Sequence, residues 1–103
     1  MSSNIQFAGP FIKEFVHTND TTSGTANTAK TVLAIAPTGT RRAQVLVQNK
    51  SASASIEVVF NETGSAGLIL PPLGSIGMTN YNGAIRVVSA TTSVPVHIAY
   101  AVA

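Results

Sequence analysis

Two imidazoles, His17 and His97, and four carboxylates, Glu14, Asp20, Glu57 and Glu62, are the groups in this chain best suited to acid–base or metal chemistry. Glu57 and Glu62 stand five positions apart across a turn, a spacing that can flank a glycosidic bond. No neighbouring motif supports that use, and the pair reads as solvated strand and loop charge. A metal centre would need both histidines and a carboxylate, because the chain has no cysteine. The two histidines are far apart in sequence but can still meet in space. His97 lies between Val96 and Ile98 and faces away from both, as a surface or subunit-interface histidine does. Serine and threonine total 22, yet no Gly-x-Ser-x-Gly sequence occurs. Gly74-Ser75-Ile76-Gly77 is too short for a phosphate loop, and no lysine follows it. These residues predict a protein that is not an enzyme, with no catalytic residue, no metal site and no cofactor.

The composition narrows the classes further. Charged residues make up 10% of 103, against about 25% in an ordinary soluble domain. The absence of cysteine removes disulfide scaffolds, iron–sulfur clusters and thiol catalysis. The net charge is +2, and only Arg41 and Arg42 are adjacent among the six basic residues. Nucleic-acid binders concentrate such charge on one face and add exposed aromatics, so no nucleic-acid partner is expected. No apolar run approaches the roughly 20 residues of a membrane helix. Met1-Ser2-Ser3-Asn4 has neither the basic nor the apolar region of a signal peptide. The expected place of synthesis is therefore the cytoplasm, with no membrane partner.

What must position any functional side chain is a set of short strands. Valine and isoleucine total 19 and leucine only 5, a strand-forming balance. Residues 1–12 read as an extended arm around Gly9-Pro10, 13–17 as a short strand, and the polar stretch 18–28 as a loop. Residues 29–36 read as a strand or a helical turn. Residues 41–49 alternate: Ala43, Val45 and Val47 share one face, while Arg42, Gln44, Leu46 and Gln48 share the other. Ser55–Asn61 repeats the pattern with Ile56, Val58 and Phe60. Leu68–Leu70 stops at Pro71-Pro72, and 73–79 is an irregular strand. Asn82-Gly83 is a tight-turn signal. Ala84–Ala90 and 94–102 complete the series, with Pro95 at an edge or a strand start. Seven or eight short strands with turns every eight to twelve residues predict an all-β protein, an antiparallel sandwich or small barrel of jelly-roll type. The predicted division is an N-terminal arm and polar loop over 1–28 and a sandwich over 29–103.

Six residues are candidates for an interface: Phe7, Phe11, Phe15, Arg41, Arg42 and Tyr81. Arg41-Arg42 suits an acidic surface or a phosphate, or else serves as edge charge that keeps a strand soluble. Tyr81 in its turn either stacks on a sugar or anchors a partner, or else folds back on its own loop.

The run Arg41-Arg42-Ala43-Gln44-Val45-Leu46-Val47-Gln48-Asn49, then Ile56–Phe60, Leu70–Ile76, Gly83–Ala90 and Val94–Ile98, resembles small β-sandwich structural proteins of tailed bacteriophages, of the head-decoration (cement) or head-fibre kind. The likeness covers about residues 41–100. Pro71-Pro72-Leu73-Gly74 departs from the plainer Pro-Gly bend. The resemblance implies a virion protein, assembled in the host cytoplasm, whose partners are the major capsid protein or other virion subunits. It implies a homo-oligomer, with a trimer favoured, and no catalytic residues. The alternative reading is a carbohydrate- or receptor-binding module of a fibre or tail.

Overall fold

A computed structural model describes residues 12–60 and 67–103. Strong alternation makes the central strand, β3 (Arg42–Asn49). Its odd-numbered residues Val45 and Val47 are buried, while Gln44 and Leu46 are exposed. The described residues form eight strands: β1 (Glu14–Thr21), β2 (Lys30–Leu33), β3, β4 (Ile56–Val59), β5 (Leu68–Leu70), β6 (Ser75–Thr79), β7 (Ile85–Val88) and β8 (Pro95–Val102). They make two four-stranded antiparallel sheets, in the orders β1-β8-β3-β6 and β2-β7-β4-β5. Among these strands only β4 and β5 are sequence neighbours within one sheet. Every other connection crosses from one sheet to the other, as in an eight-stranded jelly roll.

One local reading changes and two are refined. Residues 18–21 are strand, not loop, and extend β1 to pair with β8 over its whole length. Their polarity misleads because β1 is an edge strand with most of its side chains exposed. The Thr22 hydroxyl then accepts the Val94 amide at 2.9 Å, and the Thr22 amide donates to Val94 O at 2.9 Å. The turn at Asn82-Gly83 leads from β6 into β7 of the other sheet, so the strands it joins are not hydrogen-bonded to each other. Residues 30–33 are strand, which removes the helical alternative. Pro95 opens β8, where its missing N–H interrupts no ladder inside the strand. At Pro71–Gly74 the Gly74 amide donates to Pro71 O at 2.9 Å, and Leu73 takes a φ of 63°. That is the third position of a type II turn, which ordinarily holds glycine.

The core is aliphatic: Val45, Val47, Ile56, Val58, Leu70, Ile85, Val87, Val94, Val96 and Ile98, with Phe60, Tyr81 and Tyr100 packed at its margins. Each fully buried valine or isoleucine contributes about 1.5–3 kcal/mol. Polar groups then fix how the sheets meet. Fully buried Asn49, at the end of β3, donates through Nδ2 to Ala54 O (2.8 Å), Pro71 O (3.1 Å) and Leu70 O (3.3 Å). Its Oδ1 accepts the Ser51 amide at 2.9 Å. One amide thus holds β3 of the first sheet to the lead-in of β4 and the end of β5 in the second. At the opposite edge Lys30 of β2 meets Asp20 of β1 at 2.8 Å. Burial pushes the Asp20 carboxyl up. Hydrogen bonds from Lys30 and the Thr21 amide, with the Lys30 charge, pull harder and leave it below its ordinary value.

Asn49→Ala should lower the urea-unfolding free energy by about 2–4 kcal/mol, since it strands buried carbonyls. Asn49→Asp should cost more at neutral pH, because a carboxylate offers acceptors where donors are needed. Equal stability of Asn49→Asp and the parent would refute the clasp. Asp20→Asn should cost at most about 1 kcal/mol near pH 7, the pair being partly exposed and solvent-screened. A lowered native carboxyl contributes above its unfolded value of 3.8 and stops contributing as pH falls through the native one. Parent and Asp20→Asn melting temperatures should therefore converge on acidification below about pH 4.

Candidate interaction surface on the first sheet

The register of the first sheet sets its outward side chains in rows. Phe15, Ala101, Gln44 and Thr79 form one row across β1, β8, β3 and β6. His17, Ala99, Leu46 and Gly77 form the next, and Asn19, His97, Gln48 and Ser75 the third. Small residues in the middle of the first two rows leave a trough of about 750 Å³ between the taller side chains. Phe15 is 65% exposed at one bank, and Leu46 at 41% lies toward the other. Gln44, Thr79 and His17 supply its polar atoms. An aromatic ring and a flexible aliphatic side chain facing water cost free energy until something covers them.

Beside the trough the two histidines meet. His17 Nδ1 lies 3.2 Å from His97 Nε2, and the ring centroids are 5.4 Å apart. His97 Nδ1 lies 2.9 Å from Asn19 Oδ1. No third histidine, cysteine, aspartate or glutamate joins them among the described residues. Glu57 stands on the second sheet, where its Oε2 accepts the Gly67 amide at 3.0 Å. Glu62 lies outside the described residues.

No family model matches this sequence. No curated protein matches it either. Among solved structures it is similar to the coat protein of Tobacco streak virus, with 10% identity over 93% of this chain and 90% of that one and a TM-score of 0.40.

Of the six residues proposed from sequence for an interface, the trough contains Phe15. Phe7 and Phe11 lie outside the described residues. Arg42 is corrected from the polar outer face to the interior, where it is 3% exposed. A bulge between Arg42 and Gln44 is the cause: Arg42 pairs with Val102 and Gln44 with Ala101, so Ala43 is an extra residue that turns Arg42 inward. Its guanidinium donates to Gly83 O (3.0 Å) and to Ala34 O, and lies 5.1 Å from the centre of the Tyr100 ring. Its amide donates to Asn82 Oδ1 at 2.8 Å. Desolvation lowers the guanidinium's pKa from its ordinary value, against the opposing influence of Tyr100 and Tyr81. Nor is β3 an edge strand. Arg41 stays exposed and donates to Asn80 Oδ1 at 2.5 Å.

Tyr81 is half-buried rather than presented. Its ring meets Phe60 edge-on, with centroids 5.4 Å apart, and its hydroxyl donates to Ala84 O at 2.5 Å. It folds over Gly83, where a Cβ would come within 2.6 Å of the Tyr81 oxygen. Sequence reasoning missed Leu46 and Met78 as surface residues. The signal for Leu46 was present: it is the one large apolar residue among Arg42, Gln44 and Gln48 on the even positions of β3.

Arg42→Ala should cost about 3–5 kcal/mol in chemical unfolding, through lost carbonyl partners and lost packing. Arg41→Ala should stay within about 0.5 kcal/mol of the parent. A parent-like melt for Arg42→Ala would return that residue to the list of surface contacts.

Proposed function

We propose that this protein is a non-enzymatic structural subunit of a virion, which decorates or cements a bacteriophage capsid through subunit–subunit contacts. The observation that carries the reading is the trough on the outer face of the first sheet, with Phe15 and Leu46 exposed along it. Such a surface suits another protein better than water. Few charges have to be desolvated when it is covered, because the whole chain holds only ten ionised side chains of the Asp, Glu, Lys and Arg types. The jelly-roll strand order agrees, since virus capsid domains use it, but lectins use it too and a fold alone does not choose. Leu73 adds to the picture: an exposed leucine held at positive φ keeps an apolar side chain outward at a conformational cost. The partners in this reading are the major capsid protein or further copies of the chain, assembled as a trimer at sites of three-fold symmetry.

Carbohydrate binding is the second reading. It loses Tyr81 as a stacking platform and gains Phe15, whose open ring neighbours Gln44, Thr79 and His17 in the trough.

The double substitution Phe15→Ser, Leu46→Ser should leave the melting temperature nearly unchanged, because both side chains are already exposed. It should weaken self-association in sedimentation velocity, or attachment in co-sedimentation with capsids, by tenfold or more, which is about 1.4 kcal/mol. A parent protein that stays monomeric and never sediments with capsids would sink the structural reading. A glycan array bound by the parent and silent for Phe15→Ser would move the trough to the carbohydrate reading.

A further inference from the structure

We propose that His17 and His97 form a two-imidazole chelate for a borderline divalent transition metal, Zn²⁺ in the first instance, with Asn19 as the positioning residue. The two nitrogens that face each other are His17 Nδ1 and His97 Nε2, 3.2 Å apart. With metal–nitrogen bonds of about 2.0–2.1 Å, that separation subtends roughly 100° at a shared ion, close to the tetrahedral value. The two nitrogens are therefore already spaced as neighbouring ligands of one centre, and rotation of the rings aims their lone pairs at it. The strands fix this spacing. His17 is registered opposite Ala99, and His97 opposite Asn19, so the imidazoles are diagonal neighbours on one sheet face with only an alanine side chain across from His17.

Asn19 settles which nitrogen of His97 is free. An amide oxygen only accepts, so His97 Nδ1 carries the proton and donates to Asn19 Oδ1 at 2.9 Å. Nε2 is left with its lone pair directed at His17. The same arrangement, a ligand histidine oriented through its other nitrogen, recurs in metal sites. In the free protein His17 Nδ1–H donates to that lone pair. On metal binding the His17 proton moves to Nε2 of the same ring by exchange with water, so the neutral site loses no proton.

The donor set selects the class of ion. Two neutral imidazoles suit zinc, copper and nickel and hold little for calcium or magnesium, which need several oxygens. The nearest carboxylate in β1, Asp20, is one residue beyond Asn19 on the alternate face and is engaged by Lys30. His17 is exposed and His97 half-buried, which leaves the remaining coordination positions open to water.

The test is calorimetric titration of the full chain with Zn²⁺, with Mg²⁺ as the control, alongside nitrogen-15 spectra of the imidazoles. One Zn²⁺ should bind per chain, with His97 responding at Nε2 and His17 at Nδ1, and Mg²⁺ should give no saturable signal. His17→Gln and His97→Gln should each abolish saturable binding without moving the melting temperature, since neither residue belongs to the core. Asn19→Ala should weaken binding about tenfold, and Asn19→Asp should restore it while keeping the Nε2 response of His97. Absence of saturable Zn²⁺ binding up to millimolar concentration would overturn the proposal. So would retention of that binding by the His17→Gln, His97→Gln double variant, or ring signals that do not respond to the metal.

Discussion

Both ends of β3 are clasped to the opposite sheet by a buried polar side chain, and the arrangement of the sandwich depends on those two clasps. Hydrophobic burial brings two valine-rich sheets together but does not choose their relative position, because it has no direction. Arg42 at one end and Asn49 at the other supply direction. Arg42 takes the carbonyls of Ala34 and Gly83, which flank β2 and β7. Asn49 takes those of Ala54, Leu70 and Pro71, which flank β4 and β5. Each strand of the second sheet is thus tied near one terminus to a single strand of the first. The small aliphatic core between them can be thin and uniform because it does not carry the alignment alone.

This division of labour bears on the surface. Charge is scarce in the chain and one of its ten charged side chains, Arg42, is spent inside, so little charge remains for the outer faces. The first sheet's outer face is accordingly built from alanine, glycine, glutamine and threonine around Phe15 and Leu46. Its one concentrated polar feature is the Asn19–His97–His17 chain. The proposed interface and the proposed metal-binding pair therefore occupy adjacent rows of one face, and His17 belongs to both.

The central strands were legible in the sequence because each has one face against the core, which forces alternation. β3, β4 and β7 were read nearly in full. β1 was half lost, since an edge strand with exposed side chains carries no alternating apolar signal and its Thr18–Thr21 resembles a loop. Arg42 was placed on the wrong face because period-two reasoning cannot see the extra residue of a bulge, and one inserted position reverses every inference beyond it. Asn49 closes a strand, where a short polar side chain ordinarily serves the next turn. Its three carbonyl partners come from segments that sequence distance hides. The histidine pair was conceivable but not derivable. It exists because β1 and β8 are paired in one register, and a slip by one residue would separate the rings.

That pairing also governs the order of events during synthesis. β1 hydrogen-bonds to β8 alone among the described strands, so Glu14–Thr21 emerge about eighty residues before their partner. Local contacts cannot shelter them meanwhile, as nearly all connections cross between sheets, and such non-local topologies fold slowly. A strand that waits with a bare edge invites mispairing with other nascent chains. Its polar sequence, uninformative about the fold, is then a kinetic safeguard: Thr18, Asn19, Asp20 and Thr21 remain soluble until residues 95–102 arrive to receive them.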